Sequence, residues 1–175
     1  HIPFAFWLID SLRPNVVVEL GTQRGISYNA FCQAVKTLKL PTKCHTVDTW
    51  TGDHHARYED GEEIFANLEA YHREQYAEFS RLFRMTFDEA LEEFPDGSID
   101  LLHIDGLHTY EAVRHDFESW FPKMSEHGVV LLHDTKEKKD DFGVHRFWNE
   151  IAADYPHFEF FHEHGLGILG VGKTL

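Results

Sequence analysis

Short, continuously apolar runs alternate along this chain with stretches in which apolar residues return every three or four positions. NVVVELG (15–21), CHTVD (44–48), RLFRM (81–85), IDLLHI (99–104) and GVVLLH (128–133) are the runs. A strand covered on both faces needs apolar residues on both, so these read as five buried strands. HFEFFH (157–162) and GILGV (167–171) flank a short turn containing glycine and read as an antiparallel hairpin. Helical stripes fall between the runs: Tyr28, Phe31, Cys32, Val35 and Leu38; Ile64, Leu68, Tyr71 and Phe79; Val113, Phe117, Trp120, Phe121 and Met124; Val144, Phe147, Trp148 and Ile151. Strand and helix in alternation predict an α/β fold, a Rossmann-like doubly wound, seven-stranded, mostly parallel sheet with helices on both faces and a closing antiparallel hairpin. No repeat or linker interrupts the pattern, so residues 1–175 are expected to form a single domain.

Composition narrows the function. An apolar fraction of 42% in 175 residues is enough for one substantial core, and a formal net charge of −14 disfavours nucleic acid or an anionic membrane as partner. No apolar run reaches the ~20 residues of a membrane span. Cys32 and Cys44 do not form a CxxC pair and read as buried reduced thiols of a cytoplasmic protein. The chain opens on His1, as expected of a piece cut from a longer polypeptide.

The first strand ends in a glycine turn, VVVELGTQRGISYNAF, with Gly21 at the strand end and Gly25 before the next helix. Glycine permits a tight turn and close approach of a ligand, and amides at a helix start attract negative charge. The spacing is Glu-x-Gly-x-x-x-Gly, with Gln23 where a dinucleotide fingerprint has glycine, which argues against a nicotinamide oxidoreductase. Asp48 closes the second strand, where an acid can hold ribose hydroxyls, and the pair points to an adenosine ligand. Glu19 has a second role open to it, holding backbone amides of the turn without any ligand.

The order of these features resembles the class I S-adenosylmethionine (SAM)-dependent methyltransferases. PFAFWLI, LRP, VVELGTQRGISY, VDTWTGDHH and IDLLHIDGLHTYEAVRHDFESWFPKMSEHGVVLLHDT resemble more closely methyltransferase family 24, which includes domains attached to sugar- and glycan-modifying proteins. The resemblance implies that Glu19, Gly21, Thr22 and Gly25 line the methionine side of SAM, Ser27 binds its carboxylate, Asp48 holds the ribose, and Thr86 with Phe87 lies at the adenine. Phe87 also fits a core stripe with Ala90, Leu91 and Phe94.

Asp105 ends the fourth strand and His133 and Asp134 end the fifth. Ligands bind beyond the carboxyl ends of such strands, so the three side chains should meet beside the cofactor. Two carboxylates and an imidazole suit a divalent metal, Mg²⁺ by the carboxylates or Mn²⁺ and softer ions by the imidazole. In the metal-dependent O-methyltransferases that the chain resembles, the fifth strand usually ends acid-acid or acid-amide, and His133 departs from that pattern. His108 follows Asp105 at the spacing where related sugar O-methyltransferases carry a general-base histidine. Each residue also has a structural role open to it: Asp105 as the cap of a helix starting near Thr109, His108 in its first turn, His133 and Asp134 as loop braces. Among the other histidines, His103 reads as packed, while Asp53, His54 and His55 could belong to a lid or a solvated loop.

The resulting expectation is a SAM-dependent O-methyltransferase, metal-assisted, acting on a hydroxyl of a sugar or glycan-linked small molecule. Asp105, His133 and Asp134 are the expected metal set, and Asp105 and His108 the catalytic pair. The expected partners are a small-molecule or glycan acceptor, and either a second copy of the chain or a fused glycan-modifying domain. The alternative is a non-catalytic cofactor-binding or interaction domain of a larger glycan-assembly protein.

Overall fold

The computed structural model describes residues 2–52 and 60–173. Asp53, His54 and His55, read from the sequence as part of a lid or of a solvated loop, lie outside them. Seven strands form one sheet: β1 (Val16–Leu20), β2 (Lys43–Asp48), β3 (Ser80–Arg84), β4 (Ile99–Ile104), β5 (Met124–His133), β6 (His157–Phe160) and β7 (Leu166–Gly170). Their order is β3-β2-β1-β4-β5-β7-β6. The first five are parallel, and β7 runs antiparallel to both β5 and β6. Strand order reverses between β1 and β4, and that switch point is where the carboxyl ends of neighbouring strands open a crevice.

Helices α1 (Ile2–Leu12), α2 (Ile26–Leu38), α3 (Gly61–Gln75), α4 (Phe87–Ala90), α5 (Tyr110–Trp120) and α6 (Val144–Ile151) cover the sheet. The core accordingly has two halves. On one face Leu8 and Ile9 of α1 and Tyr28, Phe31 and Val35 of α2 pack against Val17, Leu101 and Leu131. On the other, Val113, Phe117 and Trp120 of α5 and Phe147 and Trp148 of α6 pack against Leu102, Val130 and Leu132. Fully burying one such side chain is worth about 1.5–3 kcal/mol, so both layers are held mainly by apolar burial.

Three local differences from the sequence reading have physical causes. Helix α1 was not predicted, because IPFAFWLIDSL is apolar almost all round and has no clear stripe; Trp7 stays 62% exposed. On α3 the buried residues are Leu68 and His72, while Tyr71 turns outward, because His72 Nε2 meets Ser80 Oγ at 2.8 Å. Met124 begins β5 rather than ending α5, since Pro122 lies in a 3-10 turn that closes the helix.

Candidate active site

The first strand-to-helix turn is held by a carboxylate from the next strand. Asp48 Oδ2 accepts the backbone N–H groups of Thr22 and Gln23, both at 2.9 Å, and Oδ1 accepts that of Trp50 at 2.7 Å. The Trp50 indole in turn donates to the Gln23 carbonyl at 2.9 Å. Asp48 thus fills the structural role that the sequence reading left open for Glu19. Both glycines adopt left-handed backbone: Gly21 has φ 85° and Gly25 φ 75°. A Cβ on Gly21 would stand 2.1 Å from the Asp105 carbonyl oxygen, so the close seam between the β1 and β4 ends requires glycine.

Glu19 is fully buried, and its Oε2 lies 2.8 Å from His103 Nδ1. His103, read from the sequence as a packed residue, is 3% exposed and lines the cavity described below, whereas Glu19 does not reach it. The Thr22 hydroxyl pairs with that of Thr46, so Thr22 faces the turn. Thr86 caps α4 in a reciprocal capping box with Glu89 and meets the cavity only as part of its wall. The Ser27 hydroxyl has no protein partner among the described residues and also lies on the cavity wall.

At the other strand ends the polar groups converge. Asp105 Oδ1 is 3.4 Å from both His108 Nε2 and His133 Nδ1. Asp134 Oδ2 is 2.9 Å from His108 Nε2, and its Oδ1 is 2.8 Å from His133 Nδ1. Two carboxylates are therefore bracketed by two imidazoles. Asp105 does not cap α5; Thr109 does, accepting from the Ala112 N–H. His108 is stacked flat on Phe142, with ring centroids 4.7 Å apart and planes at 8°, a support with no counterpart in the sequence pattern. Asp134 has φ 63°, a left-handed conformation that aspartate tolerates, and its N–H is held by the Gly165 carbonyl of the β6–β7 turn.

Burial works against the charged form of His108, but hydrogen bonds to Asp105 and Asp134 and their negative charge override it and raise its pKa to about 10. Burial likewise opposes charge on His133, and the same two carboxylates raise it to about 9. Burial would raise Asp134, yet the two imidazoles hold it well below the usual carboxylate range. In this arrangement both histidines are cations at neutral pH.

One atom each from Asp105, His108 and Asp134 lies within 4.8 Å of the others. Metal–oxygen bonds of about 2.1 Å put opposite ligands about 4.2 Å apart, so small side-chain movements bring this donor set onto one divalent ion. This trio contains His108 rather than the expected His133, whose Nδ1 lies 3.4 Å from Asp105 Oδ1 and 2.8 Å from Asp134 Oδ1.

All of this opens onto one cavity of about 720 Å³. Its lining includes Gly21 to Arg24, Ser27, Asp48, Thr86, Phe87 and Gly106. Phe4, Ala5, Phe31, Leu131 and Leu166 add apolar wall, and Asp105, His108 and His133 are among the lining groups. Helix α1, which the sequence pattern did not announce, supplies part of that apolar wall.

Comparison with known proteins places this geometry. Residues 18–135 match the family described as a methyltransferase domain. The uncharacterized protein y4gI of Sinorhizobium fredii (strain NBRC 101917 / NGR234) is 51% identical over all 175 residues, which span 19% of that relative's length. The SAH-bound methyltransferase PaMTH1 of Podospora anserina superposes with a TM-score of 0.67 at 12% identity, covering 96% of this chain and 76% of that one. TomG of Streptomyces achromogenes, an O-methyltransferase in complex with SAM, gives 0.66 at 14% identity, with 98% and 79% covered. The TDP-rhamnose 3'-O-methyltransferase of calicheamicin biosynthesis gives 0.68 at 17%, with 96% and 79% covered. At these identities the structural likeness speaks to the fold, and the match over most of the sequence speaks to descent: the chain belongs to the family of SAM-dependent methyltransferase domains that the glycine turn and the paired strand ends had indicated.

Proposed function

We propose that this domain transfers a methyl group from SAM to a hydroxyl oxygen with the help of a divalent ion, and that the hydroxyl belongs to a sugar or a glycan-linked small molecule. The observation that carries the chemistry is the convergence of two imidazoles on Asp105 and Asp134, His133 Nδ1 at 3.4 and 2.8 Å and His108 Nε2 at 3.4 and 2.9 Å, with Asp105, His108 and His133 on the cavity wall. The sugar preference is supported by the resemblance to family 24 and by the TDP-rhamnose 3'-O-methyltransferase among the structural neighbours.

When bound, SAM supplies an electrophilic methyl on sulfur, and a divalent ion lowers the pKa of a hydroxyl. The glycine turn, fixed by Asp48, leads into α2 and offers the Ser27 hydroxyl to the amino-acid end of the cofactor. Phe87 offers a ring face to its adenine. Asp105 and Asp134 would hold the ion, with His133 completing the set. His108 is the proton acceptor. A divalent ion held by the two carboxylates would offset the negative charge that favours the imidazolium form of His108, leaving Nε2 able to take the hydroxyl proton. Phe142 keeps the ring in plane for that transfer.

Calorimetric titration of S-adenosylhomocysteine (SAH), with and without Mg²⁺ or Mn²⁺, tests the reading. Binding in the wild type, with a metal effect that disappears in Asp105→Ala, supports it. Failure of SAH to bind under any condition would remove the enzyme reading and leave an interaction domain.

A further inference from the structure

A second apolar depression lies beside the cavity. It is a groove of about 590 Å³ between α1 and the β6–β7 hairpin, walled by Trp7 and Leu8 of α1, Val129 of β5, Phe158 and Phe160 of β6 and Ile168 of β7. The one titratable side chain on its wall is His157, so a charged or strongly polar occupant has little to pair with there. Trp7 and Phe158 stay 62% and 58% exposed, apolar surface that an aliphatic occupant would take out of water.

Groove and cavity share a wall and a floor. Phe4 lines both, stacked on Trp7 with ring centroids 5.7 Å apart and edge-on to Phe160 at 4.9 Å. Beneath it β5 and β7 pair His133 with Leu166, Leu131 with Ile168 and Val129 with Gly170. Alternate residues of a strand share a face, so these three pairs form one strip. The strip starts at His133 and Leu166 on the cavity wall and ends at Val129 and Gly170 in the groove, a span of about 13 Å at the ~3.3 Å rise of a strand.

We propose that the groove holds the aliphatic tail of the acceptor, so that the methylated molecule is an amphiphile: its hydroxylated head reaches the Asp105–Asp134 cluster, and an alkyl or isoprenoid chain runs past Phe4 over Ile168 to Phe158. SAM carries polar or charged groups along its whole length and has no such chain, so a groove of this chemistry serves the acceptor wherever the cofactor lies in the cavity. The inference rests on the methyltransferase reading, which is what gives the domain an acceptor.

The test titrates octyl β-D-glucoside, kept below its micelle concentration, into the whole domain with and without SAH, beside the methyl, butyl and hexyl glucosides. Trp7 reports on the groove, because Trp50, Trp120 and Trp148 are buried. Tryptophan emission should shift to the blue as the octyl chain covers the indole, and Trp7→Phe should lose that shift. Affinity should rise about fourfold for each added methylene, the factor that ~0.8 kcal/mol per buried CH₂ gives. Phe158→Glu should weaken octyl glucoside by about tenfold or more, since the chain then lies against a carboxylate, and SAH calorimetry on the same variant checks its folding. In methyl-labelled protein the octyl glucoside should move the Leu131 and Leu166 signals of the cavity together with the Ile168 signal of the groove. Geranyl β-D-glucoside binding tighter than the octyl compound points to an isoprenoid tail, and the reverse order to an alkyl or acyl one. Affinity independent of chain length or of Phe158 overturns the proposal, as does a shift of Ile168 that leaves Leu131 and Leu166 unmoved. A dimer in sedimentation that Phe158→Glu dissolves would give the groove to a second copy of the chain and overturn it as well. Failure of SAH to bind counts instead against the methyltransferase reading, and the titration without SAH still decides the groove, so the two failures are distinguishable.

Discussion

His108 Nε2 stands 2.9 Å from Asp134 Oδ2, joining the loop after β4 to the end of β5. Parallel strands β4 and β5 are neighbours, and the register that pairs Ile104 with Leu132 brings the two loops level. If His108 is the proton acceptor, His108→Ala should lower kcat by about 10²- to 10⁴-fold, the usual weight of a general base, with SAH affinity unchanged. Single-turnover methyl transfer alongside SAH calorimetry checks this. An unchanged rate would take the base role from His108.

The turn that receives the cofactor depends on Asp48, which accepts three backbone N–H groups. Asp48→Ala orphans these donors, at about 1–3 kcal/mol for each one left without a partner or water. A loss of about 3 kcal/mol in urea unfolding is expected, together with loss of SAH binding. If SAH binding falls while stability does not, Asp48 acts on the ligand rather than on the turn.

Gly21→Ala should be at least as damaging, for two separate reasons. Its φ of 85° is strained for any residue with a Cβ, and that Cβ would collide with the Asp105 carbonyl at 2.1 Å. The β1 and β4 ends must then part, which also displaces Asp105. Destabilisation of about 2–4 kcal/mol is expected, with weaker Mn²⁺ binding at temperatures where the variant is still folded.

The sequence pattern made the sheet legible because buried parallel strands are continuously apolar, and the strand ends followed from their last polar residues. Asp105, His133 and Asp134 could be placed near one another for that reason alone. What the pattern could not show was how each side chain is spent. Asp48 and Glu19 are both acids at strand ends, yet one holds amides and the other an imidazole, a choice made by which neighbours lie across the sheet. Helix α1 escaped notice because a helix apolar all round has no stripe, and with it went part of the cavity's apolar wall.

Asp116 offers a pH test outside the cluster. It lies on α5, 7% exposed, with its Oδ2 against Gly106, and burial raises its pKa to about 7, with His115 opposing and Asp88 adding to the rise. The folded-state value thus lies above the ordinary carboxylate value of 3.8. A group raised in this way contributes stability that is fully present below about pH 4 and is lost as pH rises through about 7, because above that point folding buries a charge. Asp116→Asn keeps the shape and removes the titration. The variant should match the wild type near pH 4, gain on it by about 1.4 kcal/mol per pH unit across the window, and hold a constant advantage above pH 8. Urea unfolding of both proteins at a series of pH values reads this directly. A difference between them that does not change with pH would mean that Asp116 ionises in the folded protein as easily as in the unfolded chain, and the buried face of α5 at Gly106 would have to be wet.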